Sequence, residues 1–242
     1  MRKIGLLLAM GTALTAALPA HAIEINEDFN LAVTLTPMTD YRVGGLSQTS
    51  GNPALWVDSM LTHSSGAFLG YFTSNVDFGL KTRQESDYYV GISRPLTEDV
   101  RGTLMYIQYE FPKSSIINYS EWIGNLSAYG ATLWVKYADD IKPFGDDRLI
   151  AALDYVYPLP YDVMFETHYG ITDSKDDVYI STDGSSRSTY YDWSVGFSKQ
   201  VWGITWRATY VDTDLSQHEC LWIMGDGNAC SATVVASASK TF

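Results

Sequence analysis

The chain has 242 residues, a formal net charge of −12 and a sequence pI near 4.6. That charge excludes binding of nucleic acid, or of an anionic membrane surface, through bulk electrostatics. Aromatic residues make up 14% of the chain, with 17 Tyr and 7 Trp, and Leu-rich helical periodicity is scarce, which favours strands over helices.

The chain opens on Arg2-Lys3, continues through an apolar run from Ile4 to Leu18, and reaches Pro19-Ala20-His21-Ala22. A basic start, a short apolar stretch and an A-x-A site made by Ala20 and Ala22 read as a secretory signal peptide. The run is short for a membrane anchor. The expected division is therefore a leader over 1–22 and one domain over 23–242. No later stretch approaches the roughly 18 uninterrupted apolar residues of a membrane helix.

Beyond the leader, apolar and polar residues alternate with period 2, the signature of strands with one face in each environment. The pattern predicts twelve strands, over 29–43, 54–63, 67–76, 86–94, 101–111, 119–127, 130–138, 148–157, 161–172, 189–200, 203–212 and 231–242. Pro37 falls inside the first and predicts a bulge or a break there. Met105, Ile107, Tyr109 and Phe111 make one apolar stripe, against Tyr106, Gln108 and Glu110. Leu149, Ala151, Leu153, Tyr155 and Tyr157 make another, and Tyr191, Trp193, Val195 and Phe197 a third.

Most of these segments reach the ~9–11 residues that a tilted membrane-crossing strand needs, where a typical globular strand has ~5–6. The gaps between them alternate long and short, and Asp139, Asp140, Asp146, Asp147, Asp173, Asp176, Asp177, Asp183, Asp214, Glu219 and Asp226 crowd the long ones. Pro53, Pro95, Pro112, Pro143, Pro158 and Pro160 lie at or beside gaps, where a missing N–H costs no ladder bond. An even strand number with long loops on one side and tight turns on the other is the arrangement of an outer-membrane barrel. Both termini fall on the short-turn, periplasmic side. Tyr157, Tyr161, Tyr190, Tyr191, Trp202 and Tyr210, near strand ends, are expected to form interfacial girdles. A soluble sandwich would turn the same stripes inward, but strand length, loop alternation and aromatic placement favour a transmembrane antiparallel up-and-down β-barrel.

Specific strings strengthen this reading. Asp40-Tyr41-Arg42-Val43-Gly44-Gly45-Leu46-Ser47-Gln48-Thr49, followed by Gly51 and Pro53-Ala54, resembles the opening motif of the TorF family of porins. Ser74-Asn75-Val76-Asp77-Phe78-Gly79, the strand from Asp192 to Lys199, Tyr210 to Leu215 and the closing Ser239-Lys240-Thr241-Phe242 are similar to later parts of that family's pattern. The resemblance implies an outer-membrane barrel and a pore; it implies no substrate and no catalytic residues. Cys220 and Cys230 lie outside the pattern. Close in sequence and in an exported chain, they are expected to form one local disulfide.

The register predicted from the stripes turns Asp58, Glu110, Asp154, Glu166 and Asp192 into the lumen, with Lys136, His168 and Arg207. A surplus of acids suggests mild cation preference, by the logic of charged rings in channels. Twelve strands lie between the eight that enclose only side chains and the 16–18 that leave an open channel, so a narrow pore for small hydrophilic solutes is expected. The alternative is a non-conducting barrel whose long acidic loops bind or support. A hydrolase built on His168, with Glu166 beside it, is weaker, since no nucleophile motif accompanies it. Asp173 to Asp177 lacks the spacing of a calcium loop, and Lys175 interrupts it. No cofactor is expected. The expected partners are outer-membrane lipid and lipopolysaccharide, small solutes and the barrel-assembly machinery, which Phe242 would address from the end of a lipid-facing stripe; oligomeric state is left open.

Overall fold

The computed structural model describes residues 22–139, 141 and 147–242. Of the expected leader only Ala22 falls among them; Ala20 lies outside the described residues, as do Asp140, Pro143 and Asp146.

Twelve long strands close into one antiparallel barrel: β1 (Phe29–Met38), β2 (Ala54–His63), β3 (Ala67–Asn75), β4 (Gln84–Pro95), β5 (Arg101–Glu110), β6 (Tyr119–Ala128), β7 (Ala131–Asp139), β8 (Asp147–Leu159), β9 (Val163–Asp173), β10 (Thr189–Val201), β11 (Ile204–Thr213) and β12 (Thr233–Thr241). Each pairs with its neighbours in sequence, and β12 returns to β1. Closure leaves no long edge unpaired, which is what a sheet must achieve inside hydrocarbon. A short strand, Ile23–Glu24, lies against Leu31 and Asn30, beyond the point where β12 ends.

The outward positions are apolar and exposed, among them Leu69, Val90, Leu104, Leu133, Leu153, Phe197 and Val234. Such a continuous apolar belt on a closed barrel is the surface of a protein that spans a membrane. At the short-turn end Tyr129 precedes Gly130 and Trp202 precedes Gly203, with positive φ at all four positions. That is the geometry of a two-residue hairpin turn matched to strand twist. Tyr129 and Trp202 project from these turns, 79% and 90% exposed, and Tyr161 projects from the connection between β8 and β9, 86% exposed. Tyr190 does not join a girdle: it is buried on the inward face of β10.

One further expectation needs correction, and another is met on one side only. The first strand stops at Met38 instead of running to residue 43, because Asp40 and its neighbours form a loop with bonds of its own. Pro37 makes no bulge on the β2 side, where ten consecutive pairs from Phe29↔His63 to Met38↔Ala54 keep one register. It interrupts the other side. The β12 ladder skips from Ser237↔Met38 to Lys240↔Leu35, and proline has no N–H to offer Ala238. Hydroxyl pairs reinforce the seam: Thr34 with Thr241 at 2.9 Å and Thr36 with Ser239 at 2.8 Å.

Phe242 completes that seam. Its N–H donates to the Val33 carbonyl at 2.9 Å, and Val33 N–H donates back at 3.2 Å. Deleting Phe242 should therefore reduce the heat-modifiable, membrane-integrated fraction while leaving export across the inner membrane intact. Gel migration with and without boiling, on fractionated cells, measures both; unchanged integration would refute it.

Candidate functional site

The barrel interior has two unlike walls. Across β8 to β11 it is ionic. The side chains of Asp154 on β8 and His168 on β9 are placed opposite each other by direct pairing of the two residues. His168 Nδ1 lies 2.5 Å from Asp154 Oδ1, and its Nε2 lies 2.8 Å from Asp192 Oδ2 on β10. Trp134 Nε1 on β7 donates to the other oxygen of Asp154 at 2.6 Å. Gly170 makes the arrangement possible: a Cβ there would sit 2.6 Å from Asp192 Oδ1 and 3.0 Å from His168 Nε2. With a carboxylate on each ring nitrogen, the imidazole satisfies both only as the doubly protonated cation.

One layer nearer the short turns, Glu166 accepts from Arg207 Nε at 2.7 Å and from Ser198 Oγ at 2.5 Å. The sequence neighbours His168 and Glu166 thus belong to separate networks and are not a pair. Lys136 also points inward, its Nζ 5.9 Å from the centroid of the Trp134 ring. Asp58 accepts from Tyr89 Oη at 2.8 Å.

Glu110 is a correction. It lies at the end of β5 on the outward face, exposed, while Thr103, Met105 and Ile107 are buried inside. The reading failed because β5 is apolar on both faces. The interior it meets is itself apolar: Tyr89, Met105, Ile107, Ile123, Trp134 and Ala152 form one cluster, with Met60, Phe68 and Phe72 packed against it. So the second wall, from β2 to β7, is largely aromatic and aliphatic.

Four inward charges were not among the expected ones. Glu85 and Asp87 on β4 and Glu121 on β6 are buried, and Arg148 on β8 reaches Glu121 at 3.4 Å. Alternation alone could have found most of them: Tyr88, Val90 and Ile92 face out, which turns Asp87 in, and Trp122 and Leu126 do the same for Glu121. Among the described residues, no basic side chain forms an ion pair with Glu85 or Asp87.

The long-loop mouth is covered from inside. Residues 39–53, which carry the D-Y-R-x-x-G string, fold inward and across. Asp40 is buried and accepts from Arg42 Nε at 2.6 Å, Ser47 Oγ at 2.5 Å and Thr49 Oγ1 at 3.1 Å. Tyr41 is wedged against Trp56 and Phe72, ring centroids 4.9 and 6.3 Å away. Gly44 and Gly45 turn with positive φ, and a Cβ on Gly45 would meet Thr213 Cγ2 at 2.2 Å. Tyr190 Oη donates to the Gly44 carbonyl at 2.9 Å, so the loop reaches the ionic wall at β10. The segment from Ser74 to Gly79, between β3 and β4, also meets the loop: Asp77 N–H donates to the Gln48 carbonyl at 2.8 Å.

The last long loop clasps this lid. Helix α1 (Gln217–Met224) starts at Ser216 and Glu219, which cap it reciprocally, and ends at Gly225 in the left-handed region. Cys220 and Cys230 form the expected disulfide, Cα–Cα 5.8 Å, and Leu46 of the inward loop packs on it. Ser47 N–H donates to the Ala229 carbonyl, and Arg42 to that of Ser231. Arg187, from the hairpin of Tyr179–Ile180 and Ser186–Arg187, binds Asp214 at 2.7 Å and Glu219 at 2.8 Å. Burial alone would push the Glu219 carboxyl up, but hydrogen bonds from Arg187 and Ser216 hold it below the usual carboxylate range. His218 Nδ1 contacts the Ile180 carbonyl at 2.8 Å. In the neighbouring acidic run Lys175 Nζ lies 2.8 Å from Asp173, and no group of three or more potential metal ligands forms among the described residues.

Solved structures share this architecture. The NanC porin superposes with a TM-score of 0.56 at 11% identity, over 87% of this chain and 98% of that one. The KdgM porin does so with a TM-score of 0.51 at 7% identity, over 87% and 99%. The chain thus has the barrel fold of these porins. No curated protein matches the sequence. Residues 23–242 match the family described as bacterial protein of unknown function (Gcw_chp), and the chain belongs to that family.

Proposed function

We infer that this protein is a narrow outer-membrane channel through which small hydrophilic solutes diffuse, with cations favoured over anions. The observation that carries the reading is the surplus of inward carboxylates. Asp58, Glu85, Asp87, Glu121, Asp154, Glu166 and Asp192 face the interior against Lys136, Arg148, His168 and Arg207. Several of these pair, which fixes the wall; the acids left without a base set a negative potential where they ionise, which attracts cations, and burial opposes that ionisation most for Glu85 and Asp87. The likeness to porins and the resemblance to TorF strings support the channel class. Both ring nitrogens of His168 face carboxylates, an arrangement suited to a structural cation and unsuited to a general base.

Reversal potentials across a planar bilayer with a potassium chloride gradient test the proposal. Conductance with a potential of cationic sign is expected. An anionic sign would refute the preference. A folded barrel that stays silent would refute the channel and leave the second reading, a closed barrel working through its loops. That reading draws on the lid formed by residues 39–53.

A further inference from the structure

The outer wall carries a groove that the channel does not use. It crosses four strands near the short-turn end and encloses about 490 Å³. Its floor is made by two glycines on the outward face. Gly102 on β5 pairs with Leu126 on β6, and Leu104 pairs with Gly124, so the missing side chains lie on a diagonal between leucines. Gly124 also pairs with Val135 on β7, which continues the groove with Leu133. A Cβ on Gly124 would meet nothing closer than 4.0 Å, so the space is open. Leu96 lies over Gly102, where a Cβ would find it at 2.9 Å.

One end of this apolar groove is charged. Arg94 on β4 pairs with Gly102 and lines the groove. Its Nε donates to the Ser65 carbonyl at 2.7 Å, and its stem lies against Gly66, where a Cβ would approach Arg94 Cγ to 3.1 Å. The guanidinium is thus oriented by the neighbouring turn. Among the described residues no carboxylate forms an ion pair with it. In a chain of net charge −12, an oriented cation at the mouth of an apolar groove complements an anionic head on an apolar tail.

We propose that this groove binds a phospholipid of the periplasmic leaflet, with an acyl chain over Gly102 and Gly124 and its phosphate on Arg94. The short-turn end of such barrels faces the periplasm, where the leaflet supplies that chemistry. A second copy fits less well. A two-fold contact centred on this patch would set groove against groove, leaving a void, and no carboxylate lines the groove to meet Arg94. The site stands whether or not the lumen conducts.

The test uses the full-length folded barrel in detergent, with phosphatidylglycerol added and retained lipid counted by native mass spectrometry. Wild type should hold phosphatidylglycerol through detergent exchange. Gly124→Leu, which fills open space, and Arg94→Gln, which keeps the stem, should each lower retention about tenfold. Heat-modifiable migration confirms that each variant is folded. Equal retention by all three proteins would overturn the proposal, and so would loss in only one of the two variants. A dimer cross-linked through this face would overturn it in favour of a second copy.

Discussion

Replacing His168 with alanine should lower the stability of the folded barrel by about 3–5 kcal/mol. The imidazolium lies between Asp154 and Asp192, both buried, and removing it leaves two carboxylates facing each other with no cation. The cost is that of uncompensated buried charge, larger than that of a lost contact. Unfolding in guanidinium chloride from micelles, followed by tryptophan fluorescence, measures it. Adding Asp154→Asn and Asp192→Asn to the alanine variant should restore much of the loss, because the charge that needed a partner is gone. A loss below about 1 kcal/mol, the scale of an exposed ion pair, would mean that water reaches the cluster and screens it.

Excising the ribbon at the mouth should have the largest effect on transport. Replacing residues 42–47 by a short Gly-Ser link removes the crossing that Tyr190 and Ala229 hold in place. Single-channel conductance should rise several-fold, while cation preference persists because the lumen acids remain. Cells expressing the variant should also admit larger hydrophilic solutes. Unchanged conductance in a folded barrel would show that the ribbon lies beside the permeation path and not across it.

The strands were legible because each alternates between hydrocarbon and something else, and the hydrocarbon side is uniformly apolar. The stretch of β10 from Tyr191 to Phe197 follows the pattern, with Tyr191, Trp193, Val195 and Phe197 outward and Asp192, Ser194 and Gly196 inward. β5 shows where that logic stops. Its inner face meets Ile123 and Tyr89, so Met105 and Ile107 looked like lipid contacts, and Glu110 was turned the wrong way. The candidate site was half visible for a different reason. Alternation tells which residues point inward, and it placed Asp154, Glu166, His168, Asp192 and Arg207 there. It does not tell which of them meet. His168 finds Asp154 and Asp192 through strand register, and that register depends on turns that fix the stagger of β8, β9 and β10. The fold of residues 39–53 into the mouth was hidden because a loop has no period to read. Its hold rests on a buried aspartate and two hydroxyls spread over ten positions.

The interruption at Pro37 bears on how the cylinder comes apart. Every other pair of neighbouring strands is stitched along its length, whereas β1 and β12 are joined by a ladder with a missing stitch at its middle. Mechanical or thermal load finds the weakest line first. The wall should therefore part lengthwise between β1 and β12, as a rolled sheet springs open along its overlap, before any hairpin separates. The amides of Val33, Leu35, Lys240 and Phe242, which face across that line, would trade their protons with solvent ahead of those in β9 and β10. The same line is the last to be sewn when the chain rolls up, so the proline that spares one hydrogen bond also marks where the wall begins and ends.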